Sequence, residues 1–165
     1  MDIKETIINR LRETKRENIE KVIDYMITNE FFTRGCHRHH RYDGGLADHA
    51  WQTYQIAMKE EADNKRLYPD VPMLDKDSLA ISALLHDFCD CHGMRHIHGH
   101  GKRSADMIKE LGVHLSKEEF LAIRFHMSLK DKKGHPLYED AMHCHLRYIV
   151  HTADGRSARK RKGFC

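Results

Sequence analysis

A histidine and an aspartate stand side by side at the end of an apolar run. His86 and Asp87 follow residues 79–85, which carry one hydroxyl group and no charge. We expect this run to be buried and to carry the Asp87 carboxylate into the interior, where an unpaired charge is costly. A cation, a dense hydrogen-bond network or protonation would each relieve that cost. The pair indicates a metal site, because other parts of the chain supply further ligand types.

Histidine is unusually frequent, with 15 in 165 residues, and neutral imidazole is the commonest nitrogen ligand for first-row metals. His49 is predicted to face the interior, since its helical stripe holds small and apolar residues: Leu46, Ala50, Thr53 and Ala57. Asp154 lies at the edge of another core stripe, one turn beyond Val150. Each residue alone also fits an ordinary role, as a core histidine, a helix cap or an ion-pair partner. Together, two imidazoles and two carboxylates favour a transition metal with coordination sites left for water.

The elements that must position these residues are predicted to be helices. Apolar residues recur at spacings of three and four, and Val, Ile and Thr do not alternate with polar residues over a strand's length. We therefore expect an all-α, single-domain bundle of about six helices, covering 3–28, 46–64, 76–89, 102–112, 117–127 and 139–158. The first has a polar middle that favours a bend or a surface position. Gly112 is a helix stop signal, and Ser116 with Glu119 forms a capping box.

Composition and length exclude several classes of protein. The 165 residues suit one domain, with a motif-bearing core at about 39–158 and a basic tail at 159–165. No apolar stretch reaches the ~18 residues that span a bilayer, and the charged N-terminus is unlike a signal peptide. Five cysteines without a C-x-x-C pair favour reduced thiols in a cytoplasm. A net charge of +3 is too mild to indicate a nucleic-acid partner, and the basic run at 156–162 has no interleaved aromatic residues.

The order His49, His86-Asp87, Asp154 resembles the H…HD…D signature of the HD-domain metal-dependent phosphohydrolases. HHRYDGGLADHA at 39–50 resembles the HHxYxGGLxxHT segment of bacterial HD-type exoribonucleases and related small hydrolases. SALLHDFCD at 82–90 resembles ALLHDxGK, and HGKRSADMI at 100–108 resembles HxxxSAxxI. AIRFH at 122–126 and YIVHTADGRSA at 148–158 are similar to the later histidine and aspartate motifs. The resemblance covers most of the chain.

The resemblance implies one or two divalent transition-metal ions, with Fe, Mn, Ni, Co and Zn all candidates. The first ion would be held by His49, His86, Asp87 and Asp154. The second would be held by His100 and His126, with Asp87 as the bridge and His98 as a rival for His100. Asp87 and Asp90 are the predicted catalytic residues. Asp90 stands where many relatives have Lys or Glu, so it cannot bind phosphate as Lys would, and it can assist proton transfer only if the loop brings it close.

The implied activity is hydrolysis of a phosphate ester, with a nucleotide as the favoured small substrate, by metal-activated water. Lys102 and Arg103, at a predicted helix start, are candidates for binding phosphate, as are His40 and His98. Further candidates for the pocket are His39, Arg95, Arg124, Lys130 and Arg156. Three alternatives remain open: a nuclease acting on RNA or DNA, a di-iron oxygenase, and a metal-stabilised binding module without catalysis, which the Asp90 departure allows.

Overall fold

A computed structural model of the chain describes residues 2–36, 39–92, 99–129 and 132–159, with only the backbone of His92. Within these residues there are eight α-helices and no strand, which confirms the predicted all-α fold. The helices are α1 (Ile3–Glu13), α2 (Ile19–Thr28), α3 (Gly45–Leu67), α4 (Lys76–Leu85), α5 (His100–Glu110), α6 (Lys117–Arg124), α7 (Tyr138–Met142) and α8 (His145–Ser157). A short 3₁₀ helix (Phe88–His92) follows α4.

Helix α4 lies at the centre of the bundle. Its apolar run, residues 79–85, is at most 1 % exposed along its whole length, because α3, α6 and α8 all pack against it. Asp75 starts the helix by accepting a hydrogen bond from the Ser78 N–H group at 2.7 Å. The helix ends at Leu85, so His86 and Asp87 lie in the turn at its C-terminal end.

Helices α3 and α8 run in opposite directions along a shared seam. Near the start of α3, His49 contacts Asp154, near the end of α8, at 3.2 Å. Near the end of α3, Glu61 lies 3.5 Å from His145, the first residue of α8. Since α3 rises about 18 Å between His49 and Glu61, the seam has two well-separated ends.

The predicted first helix, 3–28, is wrong as a single element. It is divided into α1 and α2, because Lys15 and Asn18 adopt positive φ angles of 49° and 61°. The polar segment is held by side chains rather than by helix hydrogen bonds. Arg16 forms a two-point ion pair with the buried Glu119 of α6, at 2.5 and 3.0 Å, and the capping box of Ser116 with Glu119 is confirmed.

The predicted last helix, 139–158, is also divided, into α7 and α8. Cys144 has an extended backbone and caps α8 by accepting a hydrogen bond from the Arg147 N–H group at 3.4 Å. The observed ends of the other four helices differ from the predicted ends by at most four residues. The two divisions account for eight α-helices where about six were expected.

Two glycines fix the start of α3. Gly44 has a φ of +79°, which is costly for any other residue type. A Cβ atom on Gly45 would lie 1.9 Å from the His40 carbonyl oxygen. The loop before α3 therefore packs directly on the first turn of the helix that carries His49. In the described part of the chain, no helix combines the length and the apolar content that crossing a bilayer requires.

Candidate metal centre

Four side chains from α3, the end of α4 and α8 converge at one end of the α3–α8 seam. His49 Nε2 lies 3.2 Å from His86 Nε2 and 3.2 Å from Asp154 Oδ1. Asp87 Oδ2 lies 3.7 Å from His49 Nε2 and 3.5 Å from His86 Nε2. These four residues lie on three separate segments of the sequence, and the fold brings their side chains together.

A second group lies on the other side of the Asp87 carboxylate. His100, the first residue of α5, and His126, just after α6, have their Nε2 atoms 2.8 Å apart. These atoms lie 3.2 Å and 3.4 Å from Asp87 Oδ1. Each oxygen of one carboxylate therefore faces a different set of imidazoles, which is the arrangement of a bridging ligand.

Hydrogen bonds on the outer side of the rings determine which nitrogen faces inward. His86 Nδ1 lies 2.9 Å from the Ala83 carbonyl oxygen, and His126 Nδ1 lies 2.8 Å from that of Ile123. Because a carbonyl oxygen only accepts, Nδ1 carries the proton and Nε2 presents a lone pair. His49 Nδ1 lies 3.0 Å from Ser157 Oγ, whose hydroxyl donates to the His49 carbonyl oxygen at 3.3 Å. Such outer partners are typical of metal-binding histidines.

The donor atoms fit a cation. Asp87 Oδ1 is buried and accepts no hydrogen bond from the described residues. The inward nitrogens of His49 and His86 approach each other as lone pair against lone pair, which is unfavourable without a cation between them. Groups of three donor atoms lie within 4.8 Å of one another on both sides of Asp87. Nitrogen and carboxylate donors of this kind suit a divalent transition metal.

Burial and the clustered rings shift the pKa values of the site. Burial raises the pKa of Asp87, but His86, His100 and His126 lower it more, so it lies well below its ordinary value. Burial also opposes ionisation of Asp154, whose contact with His49 and the imidazole of His86 bring its pKa to about 2. Burial lowers the pKa of His126 to about 4. At neutral pH these groups are therefore ionised carboxylates and a neutral imidazole, the forms that bind metal.

A cavity of about 330 Å³ opens onto the centre. Its described lining contains no Lys or Arg and consists of Cys36, His39, Asp87, Asp90, His100, His126, Met127, Ser128, His151, Asp154, Gly155 and Ala158. Asp90 lies in this wall, where burial, and then the charge of Asp87, raise its pKa to about 6. The 3₁₀ helix that follows Asp87 has brought the Asp90 carboxylate to the cavity.

His39 lines the cavity, whereas His40 supports it. The His39 ring lies 4.5 Å, centroid to centroid, from that of His49. His40 is buried, with Nδ1 3.2 Å from His39 Nδ1 and Nε2 3.2 Å from Gln52 Oε1. The backbone of His40 has a φ of 48°, which turns this residue away from the cavity that His39 lines. His39, and not the predicted His40, therefore lies in the described lining of the cavity.

The predicted phosphate-binding cations are not brought to the cavity. Lys102 is exposed and pairs with Asp106 one turn along α5, and Arg103 is also absent from the described lining. Arg124 contacts His135, and Arg156 pairs with Glu60 at 2.6 Å. The first two predictions rested on the helix start alone, but α5 begins two residues earlier, at His100. His98, Arg95 and Lys130 lie outside the described residues.

Sequence reasoning missed two residues on α8. Ser157 lies three residues after Asp154 and bonds His49, while His151 lies three residues before it and lines the cavity. His151 donates a hydrogen bond from Nδ1 to the His126 carbonyl oxygen at 2.5 Å, so its Nε2 atom takes no part in that hydrogen bond. Their spacing from Asp154 on one helix face was a signal that could have found both.

The close approach of α5 and α6 brings the second pair of histidines together. A Cβ atom on Gly101 would lie 2.5 Å from the Ile123 carbonyl oxygen and 2.7 Å from that of Arg124. Only glycine leaves the start of α5 this close to the end of α6. His100 and His126, which flank this contact, can then meet at 2.8 Å.

The comparisons with known proteins agree with this geometry. The family model described as "HD domain" matches residues 46–159, and the chain belongs to that family. The HD domain defines a superfamily of metal-dependent hydrolases, and the cluster of His and Asp groups is consistent with that class. Neither the curated proteins nor the solved structures give a significant match.

Proposed function

We propose that this protein is a metal-dependent phosphohydrolase that cleaves a phosphate ester of a small, nucleotide-like substrate. The observation that carries the proposal is the Asp87 carboxylate, with Oδ1 facing His100 and His126 and Oδ2 facing His49 and His86. Two ions held about 3.5–4 Å apart by such a bridge are a recurring arrangement for phosphoryl chemistry. The residues would hold one ion in each set.

A divalent ion bound here supplies Lewis acidity and lowers the pKa of a coordinated water toward neutrality. The chain supplies the rest of the chemistry. The outer hydrogen bonds of His49, His86 and His126 place the proton of the neutral ring on Nδ1, so that each Nε2 atom is available as a ligand. Asp87 and Asp154 remain ionised, so the site carries fixed negative charge that balances the ions and leaves positive potential for a phosphoryl group.

Asp90 is the candidate for proton transfer. It lies in the cavity wall with a pKa raised to about 6, first by burial and then by the charge of Asp87. A group with a pKa near the working pH both accepts and releases protons efficiently. In this proposal the Asp90 carboxylate accepts a proton from the water that attacks phosphorus, and as the ester P–O bond breaks it passes this proton to the leaving alkoxide.

The cavity supports a small substrate in preference to a polymer. Its volume of about 330 Å³ lies at the small end of ligand pockets. The described lining offers His39, His151 and Ser128 as polar groups and no Lys or Arg. Phosphate charge would therefore be neutralised by the ions and contacted by imidazoles. A nucleoside monophosphate is the substrate class that this size and polarity favour.

The test is hydrolysis of p-nitrophenyl phosphate and bis-p-nitrophenyl phosphate with Mn²⁺, Fe²⁺, Co²⁺, Ni²⁺ or Zn²⁺, followed by a panel of nucleotides. Asp87→Ala should abolish p-nitrophenol release, because it removes donors from both sets of ligands. Asp63→Ala is the matched control, since Asp63 is partly exposed on α3 and pairs only with Lys59 and Arg66 among the ion pairs of the described residues. Metal retained without hydrolysis of any substrate would contradict the proposal and favour a binding module.

A di-iron oxygenase is the second candidate, because the same carboxylate bridge and six nitrogen and oxygen ligands also suit a pair of iron ions. Oxygen consumption by the iron-loaded protein, without phosphate release, would favour it. Nuclease activity has weaker support, because the net charge of +3 is mild and the described lining of the cavity contains no Lys or Arg. Degradation of single-stranded RNA at a rate above that of nucleotides would reverse this order.

A reducing compartment is proposed for the protein. The described cysteines, Cys36, Cys89, Cys91 and Cys144, are all free and buried. Burial raises the pKa of Cys89 to about 12 and that of Cys91 to about 11, so both stay thiols at neutral pH. These features support a cytoplasmic location, which fractionation of the native cells would test.

A further inference from the structure

A second cavity, of about 360 Å³, lies at the other end of the α3–α8 seam. It is formed by the last turns of α3, the segment that follows it and the first turn of α8. Its lining residues are Glu61, Asn64, Lys65, Tyr68, Val71, Pro72, His145 and Tyr148. None of them belongs to the candidate metal centre, so the cavity needs a separate explanation.

The floor of this cavity holds a buried carboxylate with one unused oxygen. Glu61 is only 4 % exposed. Its Oε1 atom accepts a hydrogen bond from the Leu74 N–H group at 2.7 Å. Its Oε2 atom is buried and accepts no hydrogen bond from the described residues. His145 Nε2 lies 3.5 Å from that oxygen, which is longer than an ordinary hydrogen bond. Burying a carboxylate oxygen without a donor is costly.

The rim of the cavity is aromatic and apolar. Tyr68, Val71 and Tyr148 are 62 %, 48 % and 55 % exposed, and all three line the opening. Leu67 and Met73 are also exposed nearby in the chain. Exposed apolar residues gathered at a concave surface are typical of ligand sites. Tyrosine faces also attract organic cations.

The wall of the cavity is already held in place. Lys65 Nζ donates to the carbonyl oxygens of Pro69 and Val71, at 2.5 and 3.0 Å. The Lys65 ammonium group, the only one in the described lining, is thereby engaged with the backbone of residues 69–71. The segment after α3 is fixed at its far end by the bond between Leu74 and Glu61. A guest would thus find a formed site with an acceptor at its base.

We propose that this cavity binds an organic ammonium ion, with the amine donating to Glu61 Oε2 and the apolar body packed between Tyr68 and Tyr148. The amine supplies the donor that the buried oxygen lacks and neutralises its charge. The apolar body covers the exposed aromatic rim. This site is independent of the proposed hydrolase activity, since it shares no lining residue with the first cavity.

The test is titration of the ¹⁵N-labelled protein with n-hexylammonium, 1-hexanol and hexanoate, followed by NMR. These three probes share one apolar body and differ in the charge and donor capacity of the head group. The Leu74 amide, which bonds Glu61, is the reporter. Hexylammonium should bind about tenfold more tightly than hexanol, because a hydrogen bond to a charged group exceeds a neutral one by that order. Hexanoate should bind most weakly.

Two variants test separately how the Glu61 carboxylate and the aromatic rim contribute to binding. Glu61→Gln keeps an oxygen for the Leu74 N–H group and removes the charge, so the preference for hexylammonium over hexanol should vanish. Asp63→Asn is the matched control, because it removes the same charge from the same helix at a residue outside the lining. Tyr148→Ala should weaken both probes together and leave their ratio unchanged.

Equal affinity of the wild-type protein for hexylammonium and hexanol would overturn the proposal, and so would the absence of shifts at Leu74. If Glu61→Gln fails to fold, as judged by circular dichroism, the wild-type preference and the Tyr148→Ala variant still decide the question. A preference that Asp63→Asn abolishes as fully as Glu61→Gln would also contradict it, because the attraction would then come from the general charge of α3.

Discussion

Buried carboxylates occur at both ends of the α3–α8 seam, and they have different neighbours. At one end, Asp87 lies among four imidazole nitrogens at 3.2 to 3.7 Å. At the other, Glu61 has one backbone N–H group at 2.7 Å and one imidazole at 3.5 Å. Convergent carboxylate and imidazole donor atoms favour a bare cation, whereas a single free oxygen below an apolar rim favours a ligand that donates hydrogen bonds. The same pair of helices thus provides two sites of different chemistry.

Metal removal should separate the two ends most clearly. Chelation should lower the free energy of unfolding by about 4 kcal/mol if the metal was held at a thousand times its dissociation constant. Thermal unfolding with and without EDTA measures this loss. Asp87→Ala should show no response to EDTA, while Glu61→Gln should respond as the wild type does. A chelator response that is unchanged in Asp87→Ala would place the metal elsewhere.

The next largest effect should come from removing one ligand of the second group, which consists of His100 and His126. His126→Ala removes a ligand of the second group alone, so bound metal should fall from two ions to one per chain. We expect hydrolysis to fall roughly a hundredfold, since even outer partners of metal ligands contribute about 10- to 100-fold. Elemental analysis of the purified variant checks the stoichiometry. His143→Ala is the control, because that side chain is 82 % exposed. Loss of both ions would show that the groups are not separable.

The outer hydrogen bond of His49 should have a smaller effect. Ser157→Ala removes the acceptor at 3.0 Å that orients Nδ1, so metal affinity should fall about tenfold. Competition with a fluorescent chelator measures the change. Ser82→Ala is a matched control, since Ser82 is equally buried in α4 and its hydroxyl has no hydrogen-bond partner among the described residues. Equal losses in the two variants would indicate a packing effect instead.

The smallest expected effect is the pH dependence caused by Asp90. Its pKa in the folded protein, about 6, lies above the value of about 3.9 for an unfolded chain. The folded state therefore favours the protonated form, and stability is lost as the pH rises from about 4 to 6. In metal-free protein, Asp90→Asn should gain stability at pH 8, with an upper limit of roughly 3 kcal/mol set by the difference of about two between the folded and unfolded pKa values, and almost nothing at pH 3.5. Urea unfolding at both values decides this, with Asp63→Asn expected to show no gain at pH 8.

The sequence predicts the fold where local signals act without competition. The apolar run 79–85 indicates a buried helix, and Gly112 ends α5 with a φ of +87°. It does not predict the division of the first helix, because the break depends on Arg16 meeting Glu119, 103 residues away. Helical periodicity continues through such a segment, whereas the structure depends on a partner that no local pattern reveals.

The sequence predicts more of the metal centre than of the residues that surround it. Ligand types in a fixed order indicate His49, His86, Asp87, His100, His126 and Asp154, which the fold brings together, although their roles stay predictions. Whether His39 or His40 lines the cavity depends on the positive φ of His40 and on its contact with Gly45. The spacing of residues in the sequence reveals neither feature. Glu61 could not be found, because a single acidic residue near the end of a charged helix resembles solvent-exposed glutamates.

In the two-ion proposal, one missing methyl group governs how many ions this protein holds. Because a Cβ atom on Gly101 would lie only 2.5 Å from the Ile123 carbonyl oxygen, the gap between α5 and α6 is set by the smallest side chain available. Adding a single carbon there would spread His100 from His126 while leaving every donor atom in the chain. Such a variant would keep every ligand and is nevertheless expected to bind a single ion, so in the two-ion proposal the number of bound ions depends on the spacing of α5 and α6.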